Sequence, residues 1–422
     1  MSKNMIKCLL LAVFMLLPLF GARATQVDDV SFFQPSLRVG LLTNQPRVQV
    51  SADADFDLAD ANTGKVLASF RARHPVTVSI KNGALFANDR KLKAASIDVV
   101  VKKNNDLYYL EQLVRVNERR YRGDITIRRT TGNPGMTIIN TVQLEEYLYG
   151  VIKNEISPDW PLEAVKAQAV AARTYALAST NKHKDDGYDV CPTVHCQVYG
   201  GRESEAPRSL EAVDATRGLV LLHSGKLITA LFHSSSGGYT ENSENVWSSP
   251  LPYIRGVEDF DQNSPTFKWE KKLTVAELER AISQAGYKIG KLKSVELSQL
   301  KKAPAASKDR GISGRVKTID VQGTAGRVQI PGTKLRTMLD LKSTLFDIDT
   351  GLPVKGNSTI RRVSGRTGDA IVISGYGWGH GLGLSQWGAK AMAEKASPRD
   401  TEYFKTILKH YYQGVQIIKA YI

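Results

Sequence analysis

The chain is poor in cysteine. Of its three, Cys8 lies in an apolar N-terminal run, which leaves Cys191 and Cys196 for everything that follows. A scaffold built from many disulfides is thereby excluded. Beyond Phe20 no stretch is apolar and long enough to cross a bilayer. There is no GxSxG elbow, no HExxH pair and no phosphate-binding P-loop. Serine-esterase, zinc-protease and nucleotide-hydrolase readings therefore lack their usual residues. Acidic residues are the minority charge, 42 Asp and Glu against 57 Lys and Arg, for a formal +15. The cations do not gather into a compact run interleaved with aromatics, so no nucleic-acid partner is expected. Such a balance suits anionic wall polymers or phospholipid headgroups.

The N-terminus carries Lys3 and Lys7, an apolar run from Cys8 to Phe20, and then Gly21-Ala22-Arg23-Ala24. This predicts an export signal over residues 1–24, cut after Ala24. The alternative is an uncleaved anchor. Cys8 opens the apolar run instead of closing it, which argues against a lipoprotein signal. Cleavage leaves 422 − 24 = 398 residues and, with Lys3, Lys7 and Arg23 gone, a charge of +12. A chain of that length supports more than one core. The mature protein is expected to be exported, to the periplasm or beyond the envelope, and not to be integral to the membrane.

Patterning predicts an α+β fold. Residues 25–110 read as β-rich: Val76 to Ile80 alternates and Asn82-Gly83 supplies a tight turn. Asp124 to Arg128 alternates again, and Met136 to Asn140 reads as its returning strand. A short helix fits Leu144–Leu148. Residues 161–180 form the clearest helix, with Pro161 and Glu163 suited to its first turn and seven alanines along it. A strand pair is expected around Ser224-Gly225. Residues 271–365 read as an inserted α/β lobe that divides a core of 111–270 and 366–422. The C-terminal Glu402–Tyr412 looks helical.

Four constellations could carry chemistry. Glu155 sits among apolar neighbours ahead of the alanine-rich helix; a carboxyl held there has its pKa raised, as a general acid requires. Its plainer reading is a carboxylate near a helix start, or one paired with Lys153. Cys191, His195 and Cys196, with His183 upstream, are the donor types of a four-ligand structural zinc site. Their rival is a local disulfide. Residues 232–241, with three serines and Gly237-Gly238, offer hydrogen bonds for sugar hydroxyls or a solvated turn. In Gly375 to Gly383, glycine alternates with Tyr376, Trp378, His380 and Leu382. If extended, this puts an aromatic face beside bare backbone, for a pyranose ring or for tight packing. Ser385 then reads as the cap of a helix reaching Lys395.

Together, residues 144–177, 191–201, 232–247, 375–392 and 407–417 resemble the SpoIID/LytB family of stage II sporulation protein D, also called amidase enhancer. The resemblance covers about 110–260 and 370–422, in the family's order. It implies a peptidoglycan lytic transglycosylase acting on glycan strands free of stem peptides, with Glu155 as the catalytic acid. It implies zinc ligands at Cys191, His195 and Cys196, with His183 as the fourth. Arg173, Ser235, Ser236, Glu244, His380 and Gln386 are expected to position substrate. Ile156 stands where the family usually has methionine, a near-isosteric change. Two rival functions remain: a non-catalytic glycan-binding enhancer of a cell-wall amidase, and a hydrolase of the same strands.

Overall fold

A computed structural model describes residues 33–102, 113–247, 249–354, 356 and 358–422. The expected export signal lies outside the described residues. The architecture is α+β and rich in antiparallel strands. One six-stranded sheet runs in the order 36–45, 136–143, 124–129, 96–101, 56–60 and 66–70. A second runs 119–121, 114–116, 47–52, 76–81, 84–87 and 90–91. Only Pro46 separates Ser36–Gln45 from Arg47–Ala52, so the chain steps directly from one sheet to the other. Alternation decides which side chains go inward. Val76 and Val78 are buried while Thr77 and Ser79 are partly exposed. Val39, Phe56, Ile97 and Ile127 of the first sheet share one core with Val50, Val78 and Leu85 of the second. Asn82 and Gly83 turn between strands with φ of 49° and 74°, the left-handed pair that a tight hairpin needs.

The helices among the described residues are α1 (Leu144–Glu155), α2 (Leu162–Ala178), α3 (Pro207–Ala215), α4 (Glu244–Trp247), α5 (Val275–Gln284), α6 (Gly332–Met338), α7 (Gln386–Glu394) and α8 (Phe404–Tyr411). The helix expected at 144–148 is longer than its sequence reading. Leu144, Tyr147, Leu148, Val151 and Ile152 make one buried stripe at helical spacing, and that stripe carries α1 on to Glu155. Every residue of α2 from Ala164 to Ala176 is buried. Its small side chains let α1, α3, α7 and α8 all pack against it.

A second core lies within residues 268–376. Strands Lys268–Thr274 and Ala370–Tyr376 pair antiparallel along their whole length, from Lys268 with Tyr376 to Thr274 with Ala370. Beyond them a four-stranded sheet (327–331, 318–323, 292–296, 360–362) packs with α5 and α6 around Leu278, Ile282, Ile319 and Ile330. Thr274 and Glu277 form a reciprocal cap at the start of α5.

The glycine tract is not an extended strand. The strand ends at Tyr376, and Gly377, Gly379, Gly381 and Gly383 adopt φ of 70°, 117°, 81° and 66°. Alternate left-handed residues coil the segment into a loop, a conformation that costs little only for glycine. The loop ends in Leu384–Ser385, which pairs parallel with Phe232–His233. Ser385 caps α7 as expected, accepting from the Gly388 N–H.

Candidate functional site

Glu155 closes α1. The next residue is extended, and its N–H bonds back to Ile152. Glu155 therefore sits at the C-terminus of α1, ahead of α2 as expected, and it is Glu163 that stands in the first turn of α2. The negative end of the α1 dipole disfavours a carboxylate at Glu155. Burial pushes the Glu155 carboxyl up from its ordinary value, against the opposing pull of the Val198 N–H. That N–H donates to Oε1 at 2.8 Å and fixes the group's orientation. Asn154 Nδ2 ties the same two segments together, bonding Gly150 O at 2.9 Å and Val198 O at 3.1 Å. Lys153 is exposed, and among the described residues no ion pair joins it to Glu155.

Glu155 opens onto a cavity of about 950 Å³. Tyr175 of α2, Phe232, Trp247 of α4 and Trp378 of the glycine loop supply aromatic walls. Trp247 is 48% and Trp378 50% exposed, and the Trp247 ring stands 5.1 Å from the His380 ring, centre to centre. Lys342 Nζ lies 5.8 Å from the Trp378 ring centre. His233, His380 and Gln386 add polar groups to the wall. The glycines make this wall buildable: a Cβ on Gly383 would stand 2.2 Å from the Leu231 carbonyl oxygen, and one on Gly377 2.5 Å from that of Ser235.

Beside the cavity, His183, Cys191, His195 and Cys196 converge. Their donor atoms all lie within 4.8 Å of one another. Cys191 Sγ is 3.5 Å from His195 Nδ1, and Cys196 Sγ is 3.6 Å from His183 Nε2 and 3.8 Å from His195 Nδ1. Tetrahedral zinc with sulfur and nitrogen ligands has sulfur-to-nitrogen edges of roughly 3.6 Å, so the donor set fits. His183 Nδ1 meets Asp186 Oδ2 at 3.1 Å, the carboxylate contact that orients a ligating imidazole. Both cysteines are free thiols in this arrangement. The group can hold a metal ion.

Comparison with known proteins bears on this arrangement. Residues 132–223, which carry α1, α2 and the cysteine–histidine group, match the stage II sporulation protein family. The stage II sporulation protein D of Bacillus subtilis (strain 168) is 31% identical, over 67% of this chain and 76% of that protein. The chain belongs to the stage II sporulation protein D family. The amidase enhancer of the same organism is 30% identical over 87% of this chain; the match spans 52% of that protein, about half its length. An uncharacterized protein of Brachyspira hyodysenteriae is 31% identical over 83% of this chain and 86% of its own length. Residues 241–383 also match a domain of unknown function.

For this family member, the structure sorts the expected positioning residues. His380 and Gln386 line the cavity with Glu155. Gln386 Nε2 bonds Gln168 Oε1 at 3.3 Å. Glu244 stands on α4 with Trp247, but its carboxylate is held by Arg255 at 2.6 Å. Arg173, Ser235 and Ser236 do not reach the cavity, which corrects their sequence reading. Arg173 is fully buried and paired with Glu145, at 2.8 Å from Nε and 2.6 Å from Nη2. It also donates to the Val213 and Leu219 carbonyls, so it is used up inside the fold. Ser235 and Ser236 donate inward to Asp261 and Asp259, each at 2.5 Å, and lock the loop from behind. Tyr175 and His233 line the cavity without having been singled out in the sequence. Both lie in the segments that carry the resemblance, yet neither spacing nor residue type sets them apart from their neighbours.

Proposed function

We propose that this protein is an exported peptidoglycan lytic transglycosylase that cleaves glycan strands between N-acetylmuramic acid and N-acetylglucosamine, acting on strands free of stem peptides. The observation that carries the reading is a carboxyl group at a helix C-terminus, raised in pKa by burial and opening on an aromatic-walled cavity. A raised carboxyl supplies the proton that a leaving glycosidic oxygen needs near neutral pH. Trp247 and Trp378 offer flat apolar faces for sugar rings.

In the proposed reaction Glu155 gives its proton to the glycosidic oxygen. The C1–O bond breaks, and positive charge develops on the muramic acid ring. Glu155, now a carboxylate, takes the proton of that sugar's own C6 hydroxyl as its oxygen bonds C1. The products are a 1,6-anhydro end and a free hydroxyl on the departing sugar. The nucleophile belongs to the substrate, so one carboxyl group suffices where two-carboxylate glycosidases need a pair. His380 and Gln386 are the remaining candidates for orienting the strand.

A structural zinc ion held by His183, Cys191, His195 and Cys196 belongs to the same reading. Four protein donors leave it no open position, so it would brace the 183–196 segment behind Glu155 and take no part in the chemistry. The division into a core and an inserted lobe at 271–365 belongs to it as well, supported by the separate apolar cluster within 268–376. A relative named amidase enhancer supports a second reading, in which the cavity holds glycan to stimulate a cell-wall amidase.

The test uses the mature protein and its Glu155→Gln variant on peptide-stripped and intact strands, with products read by mass spectrometry. Anhydro-muramic ends from wild type alone are the expected result. Reducing muramic ends would make the protein a hydrolase. Binding without cleavage by either protein would favour the enhancer reading.

A further inference from the structure

Two histidines face the cavity, and their hydrogen bonding differs. His380 Nδ1 accepts the Leu382 N–H at 3.0 Å. That bond ties the imidazole to the glycine loop through Nδ1. Burial, with Arg315 and Arg336 nearby, holds its pKa down to about 3, so it stays neutral. His233 stands beside it, ring centres 5.4 Å apart, and is only 5% exposed. His233 Nδ1 lies 3.1 Å from the Leu382 carbonyl oxygen. A carbonyl can only accept, so Nδ1 carries the proton. His233 Nε2 is then a bare lone pair. It has no hydrogen-bond partner among the described residues, although the side chain is buried and lines the cavity. A buried polar atom left unpaired is costly, and such orphans mark places where something else bonds.

We infer that His233 Nε2 accepts a hydrogen bond from an O–H or N–H group of the sugar held beside Glu155. The inference rests on the glycan reading given above and adds a positioning residue to it. The tautomer is set by the fold, since the Leu382 carbonyl pins the proton on the far nitrogen. Burial first, then the neighbouring His380 and Arg315, push the His233 pKa well down, so the acceptor stays unprotonated at neutral pH. His233 is therefore a fixed acceptor and neither a proton shuttle nor an anion-binding group. It selects for a donor at that point of the sugar: a hydroxyl or an acetamido N–H fits, whereas an ether or a carboxylate does not.

The discriminating variant is His233→Asn. The asparagine amide can still donate to the Leu382 carbonyl, as Nδ1 does, but nothing remains in the place of Nε2. Affinity for peptide-stripped strands is measured in the Glu155→Gln background, where cleavage does not intrude. We expect roughly tenfold weaker binding, the usual worth of one hydrogen bond, with the melting temperature held within a few degrees. In otherwise wild-type protein KM should rise more than kcat falls. His233→Gln, which returns an amide near Nε2, should recover part of the affinity. A nitrogen NMR titration needs no variant: the unprotonated Nε2 signal should move when strands bind, while the protonated Nδ1 signal stays. Strand binding with an unmoved Nε2 signal, or with unchanged affinity in His233→Asn, overturns this inference alone. Failure of the Glu155→Gln protein and wild type to bind strands overturns the glycan reading together with it.

Discussion

At the scale of single residues, Glu155 is the one whose surroundings make the sharpest demand. Its ordinary value is 4.5, and burial raises it in the folded state. A group raised in this way contributes its full stability below the unfolded value and loses it as pH rises through the folded value. At pH 7 a carboxyl with a raised folded value is thus less favourable to folding than a neutral isostere. Glu155→Gln keeps an oxygen for the Val198 N–H. It should therefore unfold at the same or a higher temperature than wild type at pH 7, and the difference should close below pH 4.5. Cleavage should fall by about 10²–10⁴-fold in this variant, the usual worth of a positioned acid. In wild type it should decline as pH rises through the raised value. A calorimetric pH series beside a rate profile checks both; a variant less stable at pH 7 would mean the carboxylate is paired in a way the geometry does not contain. The apolar neighbours of Glu155 foreshadowed the burial of its carboxyl, while its proposed role as the acid came from the family resemblance and not from the residues alone. Ser235, Ser236 and Arg173 were misread because sequence gives residue type but not direction. Their polar atoms turn inward to Asp261, Asp259 and Glu145, partners 23 to 28 positions away.

At the scale of elements, periodicity served well where one rule governed. The hairpin at Asn82-Gly83, the strands at 124–129 and 136–143, and α2 all follow from side-chain spacing. The glycine tract broke that rule. Alternation suggested a strand, but glycine's tolerance of positive φ let the chain coil instead, and the backbone it frees is packed against Leu231 and Ser235. The 183–196 segment is the other element whose conformation lies outside periodicity. It contains only a short 3-10 turn, and side chains hold it in place. A metal at its four donors would supply the missing rigidity. The purified protein should then carry one zinc per chain. A strong chelator should lower the melting temperature by several degrees, while thiol titration finds both cysteines reduced. A metal-free chain lighter by two hydrogens would instead indicate a Cys191–Cys196 disulfide and remove the zinc from the reading. Because Tyr175 contacts Lys182, which bonds the His195 carbonyl at 2.6 Å, loosening this segment should also weaken strand binding at the cavity.

At the scale of the whole molecule, the segment proposed as an inserted lobe is tied by side chains to the loops of the cavity. An inserted lobe could act as no more than a steric gate on strand access. Its side chains say more. Glu241, in the loop behind the cavity, is fully buried and accepts from Ser313 N at 3.0 Å, Ser313 Oγ at 2.6 Å and Ile312 N at 3.0 Å, all from the lobe. Arg315 reaches from the lobe in the opposite direction, donating to Ser236 O at 2.8 Å and Gly379 O at 3.2 Å. Both cavity loops are therefore fixed by lobe residues. Removing the lobe would strip the Glu241 carboxylate of those three donors and open it to water, releasing the loop it anchors. The register of the neck allows a clean excision: Thr274 faces Ala370 across the sheet, so residues 275–369 can be replaced by an Asn-Gly turn. The expected product has a lower melting temperature and at least tenfold less cleavage of short, unhindered strand fragments. Arg315→Met in the intact chain should lose activity in the same direction, because two carbonyls of the cavity loops lose their donor while the lobe's bulk stays in place. If the excised protein cleaves short fragments at the wild-type rate and long strands faster, the lobe is a gate after all. If instead both variants fail on short fragments, the lobe is part of the framework that shapes the site.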